Sequence, residues 1–591
     1  MKNSINYRAL ANKTGKQLVD LINSKINESD QFNESVLTKD SDQEKLLQIW
    51  KDLLGRSDIN LTDSFFKVGG TSIKLVQLIS RISKVFNVDV QLNELFKNAT
   101  VEKTSRIIKQ RKLALPLPSY RIKAIEEQDY YSVSHAQKRI WVLSQFSEAN
   151  VAYNINGAYS LKGPLNIKVL ENSITEVIRR HESLRTSFKT INGNVFQKIL
   201  PMELVKFKMS FQVTSNHESN VEKIKLIAAN ESRRGFVLSE GPLIRVNLIR
   251  NEDENHTILF TVHHIISDGW SIELMFKELL DFYIAKTLGN DTHITPLTTQ
   301  YKDYSSWHNK LLFNKEESKT YWQQKLADHP GTINLPYDKQ RIKRGFTGLT
   351  ISNSLSKELS DKIRALASQE STSIFVVFNV VIKILLFKIT GQDDIIIGSP
   401  AAGREFSDLQ HQIGCYLNYL ILRDRIEPEK SVRSLLLEVA KTTTEALEHQ
   451  NYPFDKIVED FNIQHNDGRN PFYDVLLVMT PDMFEKELNN LVNSTSLTIE
   501  PIEFESSISK LDLTFFIGGG DQITLDIEYN SELFNTDTID TIIKDTKSIL
   551  FQLIDNLDNS ISQIISLTKT SKEIKEEEDF YKSLIQRIDD K

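Results

Sequence analysis

The stretch LALPLPSYRIKAIEEQ, residues 113–128, carries two prolines and no apolar period, and it separates two textures of sequence. It reads as a linker. Before it the chain offers only helical patterns. After it, strand patterns alternate with helical ones as far as about residue 568. A chain of 591 residues is too long for a single domain. The division therefore predicts a small all-α unit at 41–112 and a large α/β unit at 129–568, with a leader at 1–40 and a charged tail at 569–591.

In the small unit, SDQEKLLQIWKDLL starts with Ser41 and Glu44 in capping-box spacing. Leu46, Leu47, Ile49, Trp50, Leu53 and Leu54 follow at helical spacing. A second helix starts at Ser72 with Ile73, Val76, Ile79, Ile82 and Phe86 on one stripe, and VEKTSRIIKQRK (101–112) supplies another. In the large unit NVFQKILP, RVNLIR, HTILFTVHHI and DDIIIGS read as strands. LNIKVLENSITEVIRRHESL, SIELMFKELLDFYIAK, ESKTYWQQKLADH and SVRSLLLEVAKTTTEALEHQ read as helices. The most apolar run, IFVVFNVVIKILLFKI (374–389), is interrupted by Asn379, Lys383 and Lys388 and is shorter than the ~20 residues of a membrane span. It reads as a buried core helix.

The totals exclude several classes. With 40% hydrophobic and 26% charged residues the chain has material for large cores and is not globally disordered. A net charge of −7 gives no general attraction to nucleic acid or to an anionic membrane. The single cysteine, Cys415, makes no internal disulfide and no thiolate metal site, and suits a reducing compartment. The N-terminus lacks the apolar core of a signal peptide. The expectation is a cytoplasmic protein that binds neither nucleic acid nor membrane and holds no metal.

Two stretches concentrate chemistry. In FFKVGGTSIKLVQLISRI (65–82), Ser72 sits at a helix N-terminus behind Gly69 and Gly70, with no histidine before His135 to activate it. Unpaired N–H groups and the helix dipole favour an anion there, while a serine at such a place also serves as a simple cap. In TILFTVHHIISDGWSIELMF (257–276), strand alternation places Ile258, Phe260, Val262 and His264 on one face and His263 on the other. Asp268-Gly269 makes a turn, and Ser271 is positioned to cap the next helix. Three readings compete: a metal site, a pair of satisfied core histidines, or a site where one imidazole meets a reacting nucleophile and Asp268 supports the local structure.

DSFFKVGGTSIKLVQLISRI, with LLQIWKDLLG before it and LNELFKNATVEKTSRII after it, resembles the carrier (thiolation, peptidyl carrier) domain of nonribosomal peptide synthetases. HHIISDG matches the HHxxxDG signature of their condensation domains, relatives of chloramphenicol acetyltransferase. Further landmarks follow in order: YSVSHAQKRIWVLSQF, RRHESLRTSF, YKDYSSWHN, YWQQKL, IGSPAAGRE with IGCYLNYLILR, HQNYPFDKIVED and RNPFYDVLLVM. The resemblance implies a four-helix carrier bundle at 41–112. It also implies a condensation domain of two acetyltransferase-like lobes in a V, the first at about 129–300 and the second at about 301–568, with a tunnel between them.

In that family a separate phosphopantetheinyl transferase attaches 4′-phosphopantetheine to the serine matching Ser72, so Ser72 needs no base of its own. His264 would face the tunnel, where the amine of an acceptor aminoacyl thioester attacks the donor thioester and forms an amide. A neutral histidine either accepts the amine's proton or holds the amine in line, and positioning of two tethered reactants alone supplies rate. By resemblance, His263 belongs to the same motif, Asp268 pairs with Arg185, Gly269 allows close approach of substrate or oxyanion, and Asn418 supports or lines the tunnel. The chain departs from the family at Tyr416-Leu417-Asn418-Tyr419, where Phe-Val-Asn-Thr is usual, and at LPYDKQRIKRG (335–345).

A carrier ahead of a condensation domain presents the donor. Nothing in the sequence resembles an ATP-binding core, so the implied partners are an adenylation domain acting in cis or in trans and a downstream acceptor carrier. The leader and tail are candidate docking segments, against the alternative of disordered ends. Besides amide formation, the same core admits transfer to a free amine or alcohol, epimerisation, or a non-catalytic platform that recruits other enzymes. The motifs after residue 397 favour condensation over epimerisation, and the intact HHIISDG disfavours the platform.

Overall fold

The structure is a computed structural model that describes residues 41–568, apart from 66, 71, 89, 91–93, 96–97, 114–121, 215–219, 293, 312–315, 343–344, 464–468, 481–495 and 503–507. The leader and the charged tail lie outside the described residues, as does the first half of the linker.

Helices Ser41–Leu54, Ser72–Phe86 and Val101–Leu113 form the small unit. Leu46, Ile49 and Trp50 of the first meet Leu75, Leu78, Ile82 and Phe86 of the second, and Phe65 stands edge-on to Trp50 at 4.8 Å. The expected stripe is buried at Ile82 and Phe86 with Ile79 packed beside them, Leu75 and Leu78 join it, and the side chains of Ile73 and Val76 lie outside those described.

The large unit has three sheets. In the first lobe β1 (Tyr131–Ser132), β4 (Asn194–Ile199) and β3 (Thr186–Ile191) form one in that order. The other runs β12–β2–β7–β6–β5, from β2 (Asn154–Lys162), β5 (Ser210–Val213), β6 (Ile244–Glu252), β7 (Asn255–His263) and β12 (Thr498–Pro501). The second lobe has the order β10–β9–β11–β13–β14–β8, from β8 (Gly348–Ser354), β9 (Asp394–Ala401), β10 (Asn418–Arg425), β11 (Val475–Thr480), β13 (Leu513–Gly518) and β14 (Thr524–Asn530). β12 leaves the second lobe to pair antiparallel with β2, from Thr498–Lys162 to Pro501–Tyr159, and so fastens one lobe to the other through backbone.

The near-continuous apolar run of β7 is explained by cover on both faces. Ile258, Phe260 and Val262 enter the core under helices Ile167–Arg180 and Gly269–Leu288, while Leu259 packs on Ile224 and Ala228 of helix Asn220–Ser232. The alternation stops at His263, because His264 opens a 3-10 turn, His264–Ile266. His264 is therefore placed by a turn rather than by a strand.

The expected lobe boundary at about 300/301 falls just before helix Tyr301–Leu311. Helix Tyr301–Leu311 packs with the first lobe, where Tyr301 and Tyr304 enter the core and Tyr301 bonds Ser134 (2.8 Å), and its hydroxyl also reaches Cys415 O (2.5 Å) in the second-lobe loop. The second half of the linker is likewise packed, with Ile122 buried in that core and Ile125 N donating to Asp303 Oδ1 at 2.9 Å.

The apolar segment becomes helix Ile374–Thr390 at the centre of the second lobe. Lys383 is fully buried there, and its Nζ donates to Asp424 Oδ2 (2.6 Å) and Leu422 O (2.8 Å). A buried cation survives only when paired in this way. Among the described residues no single helix is long and apolar enough to cross a membrane.

Candidate active site at the seam of the two lobes

The HHIISDG stretch is wound around two caps. His263 is fully buried, and its Nδ1 accepts from Ile265 N at 3.2 Å, which closes the turn. Asp268, not Ser271, caps helix Gly269–Leu288: Asp268 Oδ1 accepts from Ser271 N at 2.8 Å. Ser271 lies inside the first turn, and its hydroxyl bonds Gly414 O and Gly414 N, each at 3.0 Å.

The partner of Asp268 is Arg404, not Arg185. Arg404 Nη2 donates to Asp268 Oδ1 at 2.9 Å and to Oδ2 at 3.2 Å, and both side chains are buried. Arg185 is occupied elsewhere, with Nη1 on Leu200 O at 2.7 Å and Glu182 at 3.7 Å. It sits at the end of the 3-10 turn Glu182–Arg185, which faces β4 rather than the Asp268 turn. Arg404 lies within IGSPAAGRE, but no sequence signal joins it to a residue 136 positions earlier.

Arg404 also donates to Leu409 O (2.5 Å), Gln412 O (2.6 Å) and Ser271 Oγ (2.7 Å), and its guanidinium stacks 4.1 Å from the centre of the Tyr416 ring. Tyr416 N donates to Asp268 Oδ2 at 3.1 Å. The loop 404–416 of the second lobe is thereby nailed to the start of a first-lobe helix. His181, in RRHESLRTSF, adds to the anchorage: one ring nitrogen meets Glu278 Oε2 at 2.6 Å and the other accepts from Ile413 N at 3.3 Å. Tyr416, one of the departures from the family pattern, thus has a task of its own.

His264 stands where this frame meets the other lobe. Its N–H donates to Tyr153 O at 2.8 Å, and its ring lies edge-on to the Tyr153 ring at 6.2 Å. The side chain is 9% exposed with Nδ1 enclosed, so Nε2 is the nitrogen that can meet a substrate. Burial, with the nearby positive charges of Lys510 and Arg139, lowers its pKa to about 3. The imidazole is therefore neutral near pH 7. His263, also buried and beside His264, is lowered to about 3 as well. Gly269 is exposed, and a Cβ there would meet nothing within 4 Å, which leaves open space one residue after Asp268.

Arg139, from SHAQKRIW, lies over the Tyr419 ring at 4.9 Å and 3.8 Å from Asp455. Asn418 spends its amide on one turn of the second lobe: Nδ2 donates to Gln450 O (2.7 Å) and Tyr452 O (2.8 Å), and Oδ1 accepts from Phe454 N at 3.0 Å. It fixes the HQNYPFD turn that carries Asp455. The second departure is also employed, since Arg341 pairs with Asp512 beside the Arg469–Asp474 pair, and Tyr337 bonds Asp512 at 2.6 Å. Among the described residues no group of histidine, cysteine and carboxylate side chains could hold a metal ion. Cys415 is buried with its thiol pushed up to about 12, which makes it a packing residue.

In the small unit, helix Ser72–Phe86 begins at Ser72 after Gly69 (φ 97°) and Gly70. A Cβ on Gly70 would lie 2.2 Å from Phe65 Cδ1 and 2.5 Å from Phe65 O, so this close approach needs glycine. The same helix packs on the 3-10 turn Ser407–His411, and Leu447 of the second lobe packs on the small unit's core. Trp270 Nε1, one residue past Gly269, donates to Gln410 O of that turn at 3.1 Å.

Comparison with known proteins agrees with this layout. A family described as "Condensation domain" matches residues 127–574, and one described as "Phosphopantetheine attachment site" matches 44–108. Gramicidin S synthase 2 of Brevibacillus brevis is 35% identical over 539 residues, 90% of this chain and 12% of that protein. Bacitracin synthase 1 of Bacillus licheniformis is 35% identical over 541 residues, 90% of this chain and 10% of its own length. The chain thus spans about a tenth of the length of these relatives. Among solved structures, the X-domain from teicoplanin biosynthesis covers 75% of the chain and 99% of its own, with TM-score 0.67 and 22% identity. The starter condensation domain of rhizomide synthetase covers 73% and 96%, with TM-score 0.62 and 17% identity; both share the fold. The chain belongs to the condensation domain family of nonribosomal peptide synthetases and carries a phosphopantetheine attachment domain ahead of it.

Proposed function

We propose that this chain forms an amide between an acyl group carried on a phosphopantetheine arm at Ser72 and the amine of an acceptor aminoacyl thioester. The observation that carries the reading is His264: a neutral imidazole at the seam of two lobes, held by a buried Asp268–Arg404 pair that joins them. The amine loses a proton as it attacks, and Nε2 of a neutral histidine can take it or hold the amine in line. Asp268 works on the frame: it caps the helix and fixes the loop 404–416. His263 closes the turn that presents His264, and Gly269 leaves room beside it. Arg185 and Asn418 support the frame from a distance.

Ser72 at a helix N-terminus suits a phosphodiester, since backbone N–H groups and the dipole there accept negative charge. The arm supplies a thioester on a flexible tether, and the partners are a phosphopantetheinyl transferase, an adenylation domain and a downstream carrier. The test is intact mass after incubation with coenzyme A and a broad transferase, followed by loading and addition of an acceptor thioester. A pantetheine-sized gain in the wild type but not in Ser72→Ala, then a new amide, supports the reading. Exchange of the donor αH with no new amide would point to epimerisation, and no turnover of a loaded chain would point to a platform.

A further inference from the structure

Lys510 comes from the second lobe, between the bridge Ile508–Thr347 and β13. Its half-buried side chain crosses to the first lobe, where Nζ lies 5.2 Å from the centre of the Tyr153 ring. Tyr153 is the residue whose ring meets His264 at 6.2 Å and whose carbonyl accepts the His264 N–H. Among the described residues the Lys510 ammonium makes no ion pair and no hydrogen bond. Glu528 on β14 is near enough to favour its charge, but the two form no ion pair within 4.0 Å. A half-buried ammonium whose three donors have no hydrogen-bond or ion-pair partner among the described residues is costly unless something else uses it.

We propose that Lys510 is a second catalytic residue: its ammonium donates a hydrogen bond to the carbonyl oxygen of the donor thioester, with His264 on the amine side of the reaction. The proposal rests on the amide-forming reading above. In the step, the amine nitrogen attacks the carbonyl carbon and the C=O electron pair moves onto oxygen, where Lys510 meets the growing negative charge. The pair then returns, the C–S bond breaks, and the proton lost by the amine reaches the departing sulfur by way of His264 Nε2. The products are an amide and a thiol, and Lys510 keeps its proton throughout. A donor aimed where charge develops, in a site shielded from water, is the arrangement that accelerates acyl transfer most.

The electrostatics at Lys510 pull in both directions. Burial lowers the pKa of Lys510 and Glu528 opposes that fall, while Glu528, itself buried, is raised to about 6. Lys510 also faces Cys415, whose buried thiol carries no charge near pH 7.

The test is single-turnover amide formation by the acyl-loaded chain with Lys510→Met and Lys510→Arg beside the wild type, over a range of acceptor concentrations and pH. Removing one oxyanion donor lowers the rate constant by about 10²–10³-fold. We expect that loss in Lys510→Met, partial recovery in Lys510→Arg, an unchanged half-saturating acceptor concentration and an unchanged melting temperature. Three results would overturn the proposal: a Lys510→Met rate near that of the wild type, a loss confined to half-saturation, or a loss fully restored at higher pH. The last would mean that Lys510 acts only through its field on His264. Should Lys510→Met fail to fold, Lys510→Gln carries the same readouts. A wild-type chain that makes no amide would sink the amide-forming reading and the proposal with it, a result distinct from an active wild type with an active variant.

Discussion

Arg404 Nη2 lies 2.9 Å from Asp268 Oδ1, and this buried contact joins residues 136 positions apart, one from each lobe. The pair does mechanical work for the site, because Asp268 also caps helix Gly269–Leu288 and accepts from Tyr416 N. Arg404→Met strands the Asp268 carboxylate without its cation, and breaking a buried pair from one side costs about 3–5 kcal/mol. Urea unfolding should show that loss. Asp268→Asn, which keeps the cap acceptor, should cost less.

The two histidines make stability depend on pH in a defined direction. Their ordinary value is about 6.5 and burial lowers both to about 3, so between these values the unfolded chain binds protons that the folded chain refuses. The stability they leave in place above pH 6.5 is therefore lost as pH falls, at about 1.4 kcal/mol per pH unit for each. Urea midpoints measured from pH 7.5 down to pH 5 should fall along that slope, less steeply in His264→Asn.

The same neutrality bears on rate. His264 is already deprotonated at pH 6, so an inflection near pH 6.5 in kcat/KM is not expected from it. The acid limb should follow the acceptor's ammonium group instead, and acceptors with amines of different pKa should move it.

Gly70 offers a test of the carrier that leaves Ser72 untouched. A side chain there collides with Phe65, including its backbone oxygen at 2.5 Å, so Gly70→Ala must shift the turn that leads into the Ser72 helix. Transfer of the pantetheine arm, followed by intact mass, should slow at least tenfold, while Gly269→Ala, which meets no atom within 4 Å, should load normally.

Lys383 was legible as an interruption of an apolar helix, and its pairing was not. Lys383→Met leaves Asp424 buried with Thr442 (2.5 Å) as its remaining side-chain donor among the described residues, and should cost about 3–5 kcal/mol. Adding Asp424→Leu should recover most of the loss, as read by thermal and urea unfolding.

What the sequence disclosed and what it withheld follow one physical line. Helical and alternating periods, a glycine turn and a contiguous motif are local, so the layout of helices and strands, Ser72 at a helix start and the HHIISDG turn could all be read in advance. Arg404 on Asp268, Tyr416 under Arg404, β12 paired with β2 and Lys510 over Tyr153 are contacts between distant segments, for which one sequence holds no period. The Arg185 assignment failed for that reason. The strand reading of His264 failed for a local one: the His263 ring caps Ile265 N and ends the strand a residue earlier than alternation suggests.

The most direct measurement follows the acyl group itself. The chain, acylated on its arm, is mixed with a loaded acceptor carrier, and the intact masses of both are recorded over one turnover for the wild type and His264→Ala. The account predicts that the acyl mass leaves this chain and appears on the acceptor as an amide, and that the substitution slows the transfer by about 10²-fold or more, the range for a positioned acid–base group. Acyl groups that remain on the wild-type arm, or that move equally fast in His264→Ala, would contradict it.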